Sequence, residues 1–327
     1  MNILALVPDL EAPSCRFRVL QYVKPLLAAG IRLQAMELAR DKASRRRALE
    51  AASEFDAVLL HRKLLNRFDY RILRKRSRRL IYDFDDAVLF RDSNSARHNS
   101  RMRRKKFMRL AAGADLVIAG NEYLSGIAGR WTRNCRVIPT VIDLAPFPDH
   151  PSAGPGKVIG WMGTKSNFIY LRQILPALRS LAGRGDDLTF KVVSDAEPDF
   201  PDVPVVYKKW SLQDEVPDLL SFDLGIMPLV SDPWSRGKCA LKIIQYFAAF
   251  LPALSSPVGS NLLLVREGLN GYFARSPREW EERIEEILTS SRRREKMGIA
   301  GRRLVEEKYS LEVMVPKMVE ALRQAVK

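Results

Sequence analysis

The sequence predicts an α/β protein made of two doubly wound parallel-sheet halves, and three observations predict it. Short continuous apolar runs recur along the chain, each followed by a segment of helical periodicity, as buried parallel strands and crossover helices require. The alternation is interrupted at 146–156, rich in Pro, Gly and Asp, and then restarts. The length of 327 residues suits about two domains, each able to bury a core. The halves are expected at 1–150 and 151–310, facing across a cleft, with a terminal helix over 311–327 packing back toward the first.

In the first half, strands are read at Asn2 to Val7, Ala57 to Leu60, Leu80 to Tyr82, Leu116 to Ala119 and Arg136 to Pro139. Polar loop residues follow the first strand, then a helix from Val19 to Ala29 that Gly30 ends. The third strand runs into Asp83-Phe84-Asp85-Asp86, and a helix is predicted over Asn99 to Ala112. In the second half, strands are read at Val158 to Met162, Thr189 to Val193, Leu224 to Leu229 and Ala253 to Ser256, with an edge strand at Gly271 to Phe273. Helices are read at Phe168 to Leu181, Ala240 to Phe250, Glu279 to Leu288, Arg292 to Glu307 and Leu311 to Val326.

Composition narrows the classes. Hydrophobic residues make up 46% and charged residues 28%, as in soluble globular chains. No apolar run approaches a membrane span, and the first strand has no basic flank like that of a signal peptide. Cys15, Cys135 and Cys239 are too scattered for a disulfide framework or zinc site, and three histidines leave little for a metal centre. A cytoplasmic protein with no metal is expected, the inner membrane face being the candidate surface. The net charge is +16, and it is uneven: residues 1–150 hold 29 basic and 16 acidic side chains, residues 151–327 hold 25 and 22. Clusters at Arg45 to Arg47, Arg71 to Arg79 and Arg97 to Arg109 would draw an acidic membrane surface, a phosphorylated substrate or nucleic acid. Nucleic acid is disfavoured, since no zinc finger, RNA-recognition signature or interleaved aromatic and basic platform is visible. The alternative is a solvated face that only aids solubility. The helix bearing Arg101, Arg103, Arg104, Lys105, Lys106 and Phe107 is the segment expected to touch an anionic membrane peripherally.

Ligands of open α/β sheets bind beyond the carboxyl ends of the strands. Three such segments in the second half share one logic. Gly163-Thr164-Lys165-Ser166-Asn167 offers close backbone approach, free amides at a helix start and a cation. Arg236, Lys238 and Lys242 gather at the next helix start, with Gln245 on the inner face one turn on. Gly259-Ser260-Asn261 forms a third tight polar loop. Together they predict a pocket for a nucleotide diphosphate. The bland readings are ordinary strand–helix turns and a Gln bonded to nearby backbone. No Walker pattern and no G-x-G-x-x-G after the first strand is present, which weakens ATPase and simple dehydrogenase readings.

Arg236-Gly237-Lys238-Cys239, Lys242 to Ala249, Leu251-Pro252-Ala253 and Ser256 to Asn261 together resemble the donor-site helix and following glycine loop of family-4-like (group 1) glycosyltransferases of the GT-B fold. Gly160 to Thr164, Tyr82 to Asp86, Gly120 to Leu124 and Ile138 to Asp143 support the resemblance in order and spacing. It implies two Rossmann-like domains, the first for the acceptor and the second for a nucleotide-sugar donor of UDP or GDP type. It implies transfer of a sugar, hexosyl type, to an acceptor hydroxyl in polysaccharide or glycolipid assembly. Retention of configuration without a metal is implied, the departing phosphate helping to take the acceptor proton. No cofactor is expected beyond the donor, and a saccharide or lipid-linked acceptor is expected as partner.

The sequence departs from the family twice. Of the family's paired glutamates, the second falls on Gln245, which can bond ribose hydroxyls, and the first on Gly237. The glycine-rich loop after the first strand is replaced by Pro13 to Arg18, where Arg16 and Arg18 are candidates for acceptor or diphosphate contact. Asp85 and Asp86 are the catalytic candidates, to orient the acceptor hydroxyl or steady charge on the sugar ring; the alternative is a cap or a pair with Arg91. Asp83-Phe84-Asp85 also mimics the D-x-D of metal-dependent transferases, but a second α/β half argues against it. The competing reading is a non-catalytic GT-B-like protein that binds nucleic acid or an assembly partner.

Overall fold

The computed structural model describes residues 1–151, 154, 156–184 and 187–327, so the stretch 146–156 is described only in part. The chain forms two compact units. The first comprises Met1–Asp143, Arg236–Cys239 and Tyr309–Lys327; the second comprises Leu144–Ser235 and Ala240–Lys308.

The first unit runs β1 (Asn2–Val7), α1 (Pro13–Arg18), α2 (Val23–Ala28), β2 (Arg32–Glu37), α3 (Lys42–Glu50), β3 (Ala57–His61), α4 (Arg67–Arg76), β4 (Leu80–Phe84), α5 (Arg101–Gly113), β5 (Leu116–Ala119), α6 (Glu122–Ala128) and β6 (Cys135–Val137). The six strands are parallel, in the order β2-β1-β3-β4-β5-β6. Strand side chains alternate between two buried faces. Leu4 and Leu6 join Leu49, Leu73, Phe107 and Leu124 under α3, α4, α5 and α6. Ile3, Ala5 and Val7 join Tyr22, Leu26, Met314 and Met318 under α2 and the C-terminal helix Leu311–Val326. Both faces being covered explains why these strands read as continuous apolar runs.

The second unit runs β7 (Val158–Gly163), α7 (Phe168–Leu171), α8 (Leu175–Gly183), β8 (Thr189–Ser194), β9 (Val205–Lys209), α9 (Glu215–Leu220), β10 (Leu224–Met227), α10 (Leu241–Ala248), β11 (Ala253–Ser255), α11 (Asn261–Leu264), β12 (Gly271–Phe273), α12 (Pro277–Leu288) and α13 (Ser291–Leu304). Its six parallel strands lie in the order β12-β11-β10-β7-β8-β9. Trp161, Leu178, Phe190 and Ile284 pack together beneath α8 and α12. On α13, the backbone of Gly298 and Gly301 lies against the Phe250 carbonyl and the Phe247 ring, where a Cβ would come within 1.9 and 2.4 Å.

Several predicted elements differ from the observed ones. The helix expected over Phe168 to Leu181 is two helices broken between Leu171 and Leu175, with Pro176 in the first turn of the second. Of the polar loop expected after β1, residues 8–12 are loop and the rest is α1, with Pro13 opening it. Val305–Tyr309 is one π-helical turn between α13 and the C-terminal helix, where the sequence suggested unbroken α-helix to Glu307. The strands β2 and β9 lack a continuous apolar run in the sequence because each mixes polar and apolar residues at a sheet edge.

Candidate functional site

Each sheet changes direction of winding once, and ligands of such sheets bind at that switch. In the first unit the switch lies between β1 and β3, in the second between β7 and β10. Nearly every candidate residue lies in a segment that follows a strand at or beside one of these points.

In the first unit, β4 delivers Asp83 into the interior. Its carboxylate takes Nη2 and Nε of Arg18, the latter at 3.3 Å, while Arg18 Nη1 donates to the Ile138 carbonyl at 2.6 Å. His61 Nδ1 lies 2.7 Å from Asp83 Oδ2, the oxygen that also takes Arg18 Nε, and its Nε2 is buried without a hydrogen-bond partner among the described residues. Arg18 is 2% exposed. This corrects its expected role: a guanidinium spent on a buried carboxylate and a carbonyl is not free for acceptor or diphosphate. Arg16 stays half-exposed, its guanidinium 4.4 Å above the Phe17 ring.

Burial alone would push the Asp83 carboxyl upward, but Arg18 and His61 hold it down at about 2. A carboxylate with a depressed folded-state value stabilises the fold above its unfolded value, near 4. We therefore expect stability of the first unit to fall between about pH 4 and pH 2, and to fall less in Asp83→Asn, as thermal melts across that range would measure.

Asp85 and Asp86 follow β4 and meet Arg62, which follows β3. Arg62 Nη2 donates to Asp86 Oδ2 at 2.6 Å, and its Nε lies 3.4 Å from Asp85 Oδ1. The partner is thus Arg62, not Arg91. Asp83 and Asp85 engage different cations, so they do not form the convergent pair a D-x-D metal site needs. Among the described residues no group of three or more His, Cys, Asp or Glu is arranged for a metal. Burial pushes the Asp86 carboxyl up, opposed by Arg62 and Lys238. Burial also works against the charge on Arg62, but Asp86 and Asp85 outweigh it and keep the guanidinium protonated. Arg62 has φ +56, left-handed backbone that non-glycine residues seldom adopt and that clusters at functional sites. Sequence reasoning missed Arg62 and His61, although the strand-end rule applied to β3 would have found both.

Arg236 and Lys238 belong to the first unit, which corrects their expected place on the rim of the second half. The reason is local packing. Asn121 Nδ2 donates to the carbonyls of Gly237 and Lys238 at 3.1 and 3.4 Å, and Cys239 Sγ donates to the Asp85 carbonyl at 3.1 Å. Gly237 sits against Ala87 and Leu124. Arg236 is exposed and Lys238 half-buried.

In the second unit, Gly163 ends β7. A Cβ there would come 2.8 Å from Lys242 Cε and 2.7 Å from the Trp161 ring, so glycine leaves room for both side chains. Lys242 Nζ stands 5.3 Å from the Trp161 ring centroid. Gln245, one turn along α10, is 5% exposed. The next loop is less open than expected. The Lys165 amide donates to Asp195 Oδ1 at 2.6 Å, and Thr164 Oγ1 accepts from Asn167 Nδ2 at 2.9 Å. Lys165–Asn167 is a single 3-10 turn before a four-residue helix, so the dipole predicted there is small. Lys165 itself is exposed. Gly259 has φ +56, and Ser260 and Asn261 follow it, 6% and 1% exposed. Asn261 Nδ2 donates to the Ser256 carbonyl at 3.0 Å and its Oδ1 is an unpartnered buried acceptor among the described residues. The Leu229 amide donates to Ser256 Oγ at 3.0 Å, tying the loops after β10 and β11 together. Gly163, Lys242 and Gln245 therefore gather in one unit.

Two units with parallel six-stranded sheets of this order make the fold GT-B. Among solved structures, sucrose-phosphate synthase from Thermosynechococcus elongatus superposes with a TM-score of 0.77 at 15% identity over 99% of each chain. HepE of Anabaena, solved with UDP and glucose, superposes at 0.73 and 15% identity over 99% of this chain and 100% of that one. A glycosyltransferase from Rickettsia africae gives 0.71 at 12% identity over 100% and 98%. In sequence, spore coat protein SA of Bacillus subtilis is 38% identical over 68 residues, 20% of this chain and 18% of that protein. No family model matches the chain.

Proposed function

We propose that the protein is a glycosyltransferase that moves a sugar from a nucleoside-diphosphate donor to an acceptor hydroxyl. The observation that carries this reading is the cluster of Gly163, Lys242 and Gln245 at the switch point of the second sheet. An open backbone, a cation and a buried amide match a diphosphate and a ribose. Lys242, with Lys165 nearby in the same unit, would offset the charge that builds on the leaving phosphate. Gly259, Ser260 and Asn261 supply a second turn for the nucleotide. HepE, solved with UDP-glucose at a TM-score of 0.73, supports a donor of the UDP type. In the first unit, Asp85 and Asp86 are assigned to the acceptor hydroxyl or the developing positive charge, with Arg62 fixing their position; Arg236 and Lys238 supply positive charge on that unit. Retention of configuration and metal independence follow the family resemblance, as does a saccharide or lipid-linked acceptor.

Thermal unfolding with UDP and GDP tests the reading, since a ligand of the folded form raises the midpoint. UDP at saturation is expected to raise it by several degrees. Lys242→Ala is expected to weaken UDP by about tenfold, the loss of one charge-assisted contact. No shift with either nucleotide, together with a shift on adding oligonucleotides, would overturn it in favour of a binding protein.

A further inference from the structure

The excess charge of the first half is not spread over its surface. α3, α4 and α5 carry fifteen Lys and Arg residues against Glu50 and Asp69 only. All three pack on the same face of the first sheet, through Leu49, Leu73 and Phe107. The helices of the other face, α1, α2 and Leu311–Val326, carry five basic residues against Glu312 and Glu320. Ten of the fifteen, among them Arg46, Arg67, Arg71, Arg101, Arg104 and Lys105, are exposed. A layer of one sign that a solubility role does not require implies an anionic partner.

Apolar side chains stand among these cations. Phe68 is 74% exposed in the first turn of α4, and Met102 is 67% exposed in the first turn of α5. Each helix returns from the carboxyl edge of the parallel sheet to its amino edge. Its first turn therefore lies at the carboxyl edge, where β3 and β4 deliver Arg62, Asp85 and Asp86. An exposed aromatic and a thioether amid arginines match the interface of a bilayer, where apolar tips enter the acyl boundary and guanidinium groups meet phosphates. A single-stranded nucleic acid would need cations interleaved with several stacking aromatics, and Phe68 is the only exposed large aromatic among the described residues; a duplex, held through its phosphates, would leave the exposed Phe68 and Met102 without a role.

We propose that the α3–α5 layer docks the protein on an anionic lipid bilayer, with Phe68 and Met102 inserted and the carboxyl edge of the first sheet turned toward the lipid. This stands on the charge layer and does not depend on the transferase reading. The full chain is to be sedimented with vesicles of phosphatidylcholine alone and of phosphatidylcholine with about a third phosphatidylglycerol. Binding is expected only to the anionic vesicles, weakening as salt shortens the reach of the surface charges. Arg101→Glu with Arg104→Glu and Lys105→Glu should lower affinity by more than tenfold, at about fivefold per cation. Phe68→Ser with Met102→Ser should abolish the part of binding that survives higher salt. Lys24→Glu with Lys317→Glu, on the opposite face, should leave more binding than either. All of these side chains are exposed or half-buried, and circular dichroism checks their folding. Equal binding to neutral vesicles, no binding at low salt, or stronger retention by single- or double-stranded oligonucleotides than by vesicles would each overturn the proposal. The UDP melting shift, measured on the same variants, should not change, which separates this test from that of the donor site.

Discussion

Arg18→Met is expected to destabilise the first unit by about 3–5 kcal/mol, the usual cost of removing one partner from a buried ion pair. The Arg18 and Asp83 side chains are 0% and 1% exposed. Without the guanidinium, the Asp83 carboxylate keeps His61 but loses its counter-charge and two donors, and the Ile138 carbonyl loses a third. Asp83 must then protonate or drag water into the core between α1 and β4. Arg18→Met with Asp83→Asn should recover part of the loss, because no uncompensated charge remains. Urea denaturation of the single and double variants, read on the transition of the first unit, measures both. A loss below about 1 kcal/mol in Arg18→Met would show that the pair is a solvated contact and that the site above it has no rigid floor.

Gly237→Glu restores the residue that the family resemblance would place there, yet it should not tighten donor binding. A Cβ at 237 would lie 2.6 Å from Ala87 Cβ, 2.9 Å from the Ala87 nitrogen and 3.0 Å from Leu124 Cδ2. Two of those neighbours belong to Ala87, which has no flexible side chain to move. Overpacking of this kind costs about 1–3 kcal/mol, and the buried carboxylate adds to it. Gly237→Ala isolates the steric part and should lose about 1–2 kcal/mol by itself. Melting curves with and without UDP measure both effects. A stable Gly237→Glu protein that binds the nucleotide more tightly would sink the argument, since the segment 236–239 would then be free to move away from Ala87 and Leu124.

Much of the fold was legible because parallel strands covered on both faces must be apolar throughout. β1, β3, β5, β7 and β10 announce themselves for that reason, and the turn or polar loop after each marks a strand end. β2 and β9, at sheet edges with one side wet, lose that signature. At the site, Gly163, Lys242 and Gln245 were readable from the strand-end rule and the i, i+3 spacing along α10. Arg62 was not singled out, because an Arg after a strand is common and only its φ and its two carboxylate partners set it apart.

Arg18 and Asp83, separated by 65 residues, became a pair only when β1 and β4 were laid in one sheet. The same holds for Arg236–Cys239, which sequence assigns to the second half and packing assigns to the first. Local pattern alone therefore settled the class of architecture and the loops worth reading, since hydrophobic periodicity and chain punctuation are properties of neighbours in sequence. Which carboxylate meets which cation, and which glycine is hemmed in, depended on contacts between residues far apart along the chain, and those exist only once the sheets have formed.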